Sequence, residues 1–184
     1  MIHNVHSRAF DAPATQVGAL LDSVASAGDR LWPRRWPKLR LDCPLAVGAA
    51  GGHGPIRYSV ERYEPGRTIV FRFAPGLGVD GTHRLVVEPQ SAEGCTVLRH
   101  VLEGTPYGIT RVTWPLAVRW LHDALLDDLL DRAELELTGF VARPARWSPW
   151  VRFLRSLFAK MRVPRGPGAQ AERAPAVHAA NSDA

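Results

Sequence analysis

Four runs with strand character stand almost end to end between Ile56 and Glu103: "IRYSVERYE", "TIVFRFA", "THRLVVE" and "CTVLRHVLE". Each is rich in β-branched and aromatic residues and is closed by turn formers, at Pro65-Gly66, Pro75-Gly76, Pro89 and Gly104. The links between them are too short for crossovers, so the strands are expected to pair as an antiparallel meander. Such a sheet must bury one face. The element large enough to cover it is the helical run "WPLAVRWLHDALLDDLLDRAELELTG", with Pro115 at its start and Gly139 just past its end.

Upstream, "IHNVHSRAF" reads as a strand, with Asp11 as an N-cap and Pro13 near the first turn of a helix. Val17, Leu20, Leu21 and Val24 recur three and four residues apart in that helix, which stops at Gly28. A Pro- and Gly-rich stretch follows, read as loop with a short strand around Leu39 to Cys43. Its two Trp-Pro pairs, Trp32-Pro33 and Trp36-Pro37, suit either a lid or a loop pinned to the core. Arg34, Arg35, Lys38 and Arg40 around them suit either an acidic head group or plain solvation.

Strand, helix, antiparallel strands and one long C-terminal helix make an α+β chain. That order, with "GHGPIRYSVERYEPGRTIVFRF", "GTHRLVVEP" and "LRHVLEG", resembles the START-like or Bet v 1-like superfamily (SRPBCC, polyketide cyclase/dehydrase-like) over about residues 2 to 140. The resemblance implies a helix-grip fold, a curved antiparallel sheet wrapped around the long C-terminal helix, with a cavity between them for an apolar ligand. Members include carriers, aromatase/cyclases and proteins that only recruit partners. The expected organisation is a START-like ligand-binding domain over 1–140, a basic amphipathic helix over 141–163 and a disordered tail over 164–184.

Alternation places Ile69, Phe71 and Phe73 on one face of their strand, His83, Leu85 and Val87 on the next, and Leu98, His100 and Leu102 on the third. On the long helix Val118, His122, Leu125, Leu126, Leu129, Ala133 and Leu137 form the apolar stripe. His83, His100 and His122 are thus expected to converge on one interior. A histidine among apolar neighbours is more often a hydrogen-bonded core residue than a catalyst. Three together in a fold built around a cavity favour contact with a ligand. A metal site is not expected, because no inward carboxylate can be assigned. No cofactor fingerprint is present either.

"DDLLD", Asp127 to Asp131, has the spacing with which isoprenoid synthases hold magnesium and a diphosphate. Asp123, Asp127, Asp131 and Glu134, with Asp128 nearby, fall opposite the apolar stripe, and the middle of the chain is strand rather than helix. They are read as a solvated helix face. Ala117, Trp120, Leu121 and Ala124 leave an apolar patch beside these acids, which something should cover.

The chain is 46% hydrophobic over 184 residues, enough for one domain with a sizeable core. Its net charge of +5 is local, since seven basic residues and no acid lie between Arg143 and Arg165, and the rest is slightly acidic. No nucleic-acid partner is expected of such a domain. The basic segment reads as a helix capped by Ser148, opened by Pro149 and ended by Pro164. Trp150, Val151, Phe153, Leu154, Leu157, Phe158 and Met161 cluster on one side, against Arg152, Arg155, Lys160 and Arg162. It could dock on its own domain, form a homodimer contact, or lie on an anionic membrane surface. Cys43 and Cys95 make no metal-binding pattern, and "MIHNVHSRAFDAP" has no apolar signal core. No run reaches the ~18 apolar residues a span requires. The expected location is the cytoplasm, with peripheral membrane contact through the basic helix.

The leading functional expectation is a binder of a small hydrophobic ligand of lipid, polyketide or isoprenoid type. Trp32, Trp36, Tyr58, Phe71, Phe73 and Trp114 would supply aromatic walls, and Arg57, His83, His100 and His122 the orienting polar groups. Two alternatives stay open. One is a cyclase/dehydratase-type enzyme using cavity His or Tyr as acid and base. The other is a membrane-surface or partner-binding module acting through residues 146–162.

Overall fold

The computed structural model describes residues 1–90 and 94–160. Its frame is a seven-stranded antiparallel sheet in the order β1-β7-β6-β5-β4-β3-β2. The strands are β1 (Ile2–Asp11), β2 (Arg40–Leu41), β3 (Ala50–His53), β4 (Ile56–Glu64), β5 (Thr68–Phe73), β6 (Val79–Pro89) and β7 (Cys95–Pro106). The four expected runs are β4 to β7, paired as a meander. β1 closes onto β7 along its whole length, from Ile2 opposite Gly104 to Asp11 opposite Cys95.

Helix α1 (Ala14–Asp22) and the long C-terminal helical segment cover one face of this curved sheet. The long segment runs from a short α2 (Thr110–Thr113) through a π-helical turn (Trp114–Val118) into α3 (Arg119–Thr138). This is the expected α+β helix-grip architecture. Leu20, Leu21, Ile69, Phe71, Leu98 and Leu129 are buried together where α1, the sheet and α3 meet. The alternation of Ile69 with Phe71, Leu85 with Val87, and Leu98 with His100 places the inner face as the strand period requires.

Four local expectations are corrected. The long helix begins at Thr110 rather than at Pro115. Pro115 falls inside it, where a residue without an N–H cannot close the ordinary turn, and the helix widens there. Helix α1 ends at Asp22, not Gly28: Ser23 turns its hydroxyl onto the Leu20 carbonyl at 2.7 Å, and Asp29 accepts the amides of Ala25, Leu31 and Trp32. Asp11 is the last residue of β1, and Pro13 takes the N-cap position. The Gly-rich stretch read as loop contains β3. A Cβ at Gly51 would collide with the Arg40 carbonyl and one at Gly52 with that of Ile56, so this pairing needs glycine. The C-terminal stop of α3 is as expected, with Gly139 left-handed at φ 82° and its N–H on the Leu135 carbonyl.

No side of α3 is left to solvent in its middle. From Leu121 to Glu134 every residue is buried or half-buried. One side meets the sheet and α1, and a second meets β1. The third, Ala124, Leu125 and Leu126, packs on Trp36 and on Val151 of a further helix, α4 (Pro149–Lys160). The Ser148 hydroxyl caps α4 by accepting the Val151 N–H at 3.2 Å. Val151 and Leu154 are buried, so α4 docks on its own domain and covers part of the apolar patch beside the acids. The Arg155 guanidinium lies over the Trp36 and Trp147 rings at 4.2 and 4.3 Å and donates to the Arg35 carbonyl at 2.6 Å. Arg162 and the expected tail over 164–184 lie outside the described residues. Cys43 and Cys95 are free thiols. Among the described residues no helix is long and apolar enough to cross a membrane.

Candidate functional site

Strand β1 turns Asn4, His6 and Arg8 inward, and α3 meets them with Asp123, Asp127, Asp131 and Glu134. The two spacings agree: two residues of strand rise about 6.7 Å and four of helix about 6.0 Å. Asn4 Nδ2 donates to Asp123 Oδ1 at 2.9 Å, and His6 lies 3.1 Å from the same oxygen through Nε2 and 3.3 Å from Asp127 Oδ1 through Nδ1. Arg8 reaches Asp131 at 2.8 Å and Glu134 at 2.6 Å. The acids therefore do not form a solvated face, which corrects that expectation. Asp128 is engaged too, taking the indole N–H groups of Trp36 and Trp147 at 2.7 and 3.0 Å. Each carboxylate of "DDLLD" thus has a protein partner, and Asp131 also accepts the Ala145 amide at 2.7 Å.

Beside this seam, rings of the chain itself fill the grip between sheet and helix. His53 touches Trp32 and Tyr58, with centroids 4.9 and 6.0 Å apart. Tyr58 meets Phe71 at 4.8 Å and His83 at 4.9 Å, and Phe73 meets His83 at 5.0 Å. His83 Nδ1 and His100 Nε2 are 3.3 Å apart, one sharing a proton with the other. His100 then meets His122 at 5.1 Å, and His122 meets Trp114 at 5.9 Å and His6 at 6.1 Å. Three polar atoms in this cluster, Tyr58 Oη, His100 Nδ1 and His122 Nδ1, are buried without a hydrogen-bond partner.

The three histidines expected to converge do so, together with Tyr58, Phe71, Phe73, Trp114 and Trp32. Two expected members are elsewhere. Arg57 precedes the inward Tyr58, so its side chain faces away from the rings and donates to the Gly54 and Ile56 carbonyls, while lining the open depression at Tyr58 and Phe73. Trp36 sits in the α3–α4 contact, and Trp32 donates to the Pro37 carbonyl at 2.9 Å, which pins the Trp-Pro loop. His6 and His53 belong to the cluster but escaped the sequence reading. The signal for His6 was its alternation with Asn4 and Arg8 along β1. Asp123 is the inward carboxylate that could not be assigned from sequence, so the reason for setting a metal site aside no longer holds.

An open depression of about 450 Å³ is lined by Ala50, Tyr58, Ser59, Arg72, Phe73 and neighbours, and touches the cluster through Tyr58 and Phe73. A second, of about 380 Å³, lies by α4 between Arg35, Arg146, Trp147 and Arg152.

Burial sets the charge states within the cluster. It lowers the pKa of His53 to about 4 and those of His83 and His100 well below the ordinary range, aided by repulsion among the imidazoles. Burial likewise lowers His122, against the pull of Asp123. It raises the Tyr58 phenol. His6 goes the other way: burial opposes its charge, but Asp123 and Asp127 outweigh that and raise it to about 9. Asp123 resists the upward push of burial and is lowered by His122, His6 and Asn4.

No protein-family model matches the chain, and no curated protein matches it in sequence. Solved structures do match it in shape. XoxI of Bacillus cereus superposes with a TM-score of 0.57 at 17% identity, over 74% of this chain and 96% of that one. CalU16 of Micromonospora echinospora gives 0.53 at 16% identity, over 86% and 84%. The Aha1 dimer of Colwellia psychrerythraea gives 0.52 at 17%, over 74% and 98%. What this chain shares with them is the fold.

The charge states predict a lopsided pH profile. His53, His83 and His100 are neutral when folded, and burial shifts His122 in the same direction, whereas the unfolded chain protonates them below their ordinary value of 6.5. Stability therefore drops as pH falls from 6.5, by roughly 4 kcal/mol per pH unit for an uptake of about three protons. His6 has the opposite sign: its contribution is complete below 6.5 and is lost as pH rises through about 9. Urea unfolding at pH 5.5, 7 and 9.5 should show the maximum at pH 7. A flat curve between 7 and 5.5 would contradict the buried neutral histidines.

Proposed function

We propose that this chain is a START-like, Bet v 1-like (SRPBCC) protein that binds a small, largely apolar molecule of lipid, polyketide or isoprenoid type against the ring cluster. The observation that carries the reading is the pair Tyr58 Oη and His100 Nδ1, polar atoms buried among aromatic rings without partners of their own. An unpaired buried polar atom costs about 1–3 kcal/mol, which a ligand hydroxyl or carbonyl would offset. The helix-grip fold supports the reading, as does the depression at Tyr58 and Phe73, whose volume suits a small ligand. The cyclase/dehydratase alternative would use the His83–His100 pair to move a proton at an enolisable ketone, but burial depresses the basicity of both rings, which favours binding over that step.

Native mass spectrometry of the purified full chain, with organic extraction, tests the binding role. It should reveal an apolar adduct, or failing that, saturable binding of 2-naphthol as a probe. Tyr58→Phe should weaken that binding about tenfold by removing one hydrogen bond. A protein with no adduct that also fails to saturate with the probe contradicts the proposal.

A second reading concerns α4. Its docking leaves Trp150 and Phe153 outward at 44% and 54% exposure, beside Leu116 at 60% and Trp120 at 47%. Trp150 stacks on Phe153 and donates to the Leu116 carbonyl at 2.9 Å, so these side chains form one patch, with exposed Arg152 on the same helix. Aromatic residues next to cationic ones suit the interface of an anionic bilayer. The full chain should co-sediment with phosphatidylglycerol vesicles at low salt, and W150S/F153S should release it. Equal sedimentation of the variant, or none by the wild type, rejects a peripheral membrane role for this face.

A further inference from the structure

His6, His122 and Asp123 meet at the point where β1, α3 and the ring cluster touch. One donor atom from each lies within 4.8 Å of the other two. His6 Nε2 is 3.1 Å and His122 Nδ1 3.7 Å from Asp123 Oδ1. Consecutive residues on a helix splay by about 100° around its axis, and His6 reaches from the strand into the angle between His122 and Asp123. A tetrahedral ion bound at about 2.0–2.2 Å spaces its ligands by about 3.3–3.6 Å, so the three atoms need only small rotations to share one.

Two features distinguish this group from an ordinary histidine–aspartate pair. His122 Nδ1 is buried and has no hydrogen-bond partner, since 3.7 Å is too long for one to Asp123. Metal coordination would satisfy that nitrogen. Then the far nitrogen of His6 lies 3.3 Å from the Asp127 carboxylate. A carboxylate behind a histidine orients the ring and raises its basicity toward a metal. Asn4 holds Asp123 Oδ1 from a separate direction at 2.9 Å, and Arg119 stands 3.4 Å from Oδ2, leaving an oxygen lone pair for an ion.

We propose that His6, His122 and Asp123 form a site for a divalent first-row transition ion of the zinc class. Two imidazoles and one carboxylate are a donor set that zinc and ferrous iron accept, and three protein ligands leave coordination open, as in catalytic rather than structural sites. The site lies beside the proposed ligand-binding cluster but does not depend on that reading, and its test uses metal ions alone.

The test is titration of the full chain, freed of metal by chelator, with Zn²⁺ by calorimetry and with Co²⁺ by visible absorption. A single equivalent should bind at micromolar affinity or tighter, and Co²⁺ should show the bands of a four- or five-coordinate site. His122→Gln should abolish binding, with its fold checked by circular dichroism. Asp127→Asn should keep the stoichiometry and weaken affinity about 10- to 100-fold. Because a core variant can unfold, the wild type supplies an independent reading: Zn²⁺ should shift the ring NMR signals of His6 and His122 ahead of those of every other histidine. Absence of saturable binding, unchanged binding in folded His122→Gln, or first shifts at other histidines would overturn the site.

Discussion

The seam between β1 and α3 is the contact on which the rest of the molecule leans. β1 is an edge strand of the sheet, and α3 is the helix that the sheet grips. Hydrophobic burial alone would hold the helix over the middle of the sheet and leave its rotation loosely set. Asn4, His6 and Arg8, matched against Asp123, Asp127, Asp131 and Glu134, fix that rotation and its position along the strand. These charges are half-buried, so their value lies less in net stability than in specifying one arrangement. With the helix so fixed, Leu129 and Ala133 face the core and His122 faces the rings.

Histidines with opposed preferences follow from that placement. His6 sits between two carboxylates and holds its proton, while His83 and His100, on the far side of His122, are deep among aromatic rings and do not. The boundary between the two environments runs through His122 and Asp123, adjacent in sequence. A site that offers a charged edge and a neutral, apolar interior suits a ligand with one polar end.

Much of the fold was legible because its signals are local. The runs of β4 to β7 have period 2 with turn formers between them, and only one face can be buried, so Phe71, Leu85, Leu98 and His100 were placed correctly. The site was only half legible. Asn4, His6 and Arg8 look like the wet row of an edge strand, and the acids of α3 look like the wet face of a helix. Each row alone has the pattern of a solvated one, and they meet only because residues 2–11 pair with 95–106, a contact far apart in the chain. His53 was hidden by the glycines before it, which usually mark a loop and here permit close strand pairing. Arg57 stands outside the ring cluster, as alternation with Tyr58 requires, yet it lines the depression that reaches the cluster through Tyr58 and Phe73.

The seam imposes opposed charge states on the histidines, and NMR titration of their ring resonances in the metal-free protein reads them directly. His83 and His100 should remain neutral at pH 5.5, with a proton shared between their facing nitrogens, while His6 stays protonated until the pH nears 9. If all the histidines titrate together near 6.5, α3 is not seated on β1 as described, and both the ring cluster and its proposed ligand lose their basis.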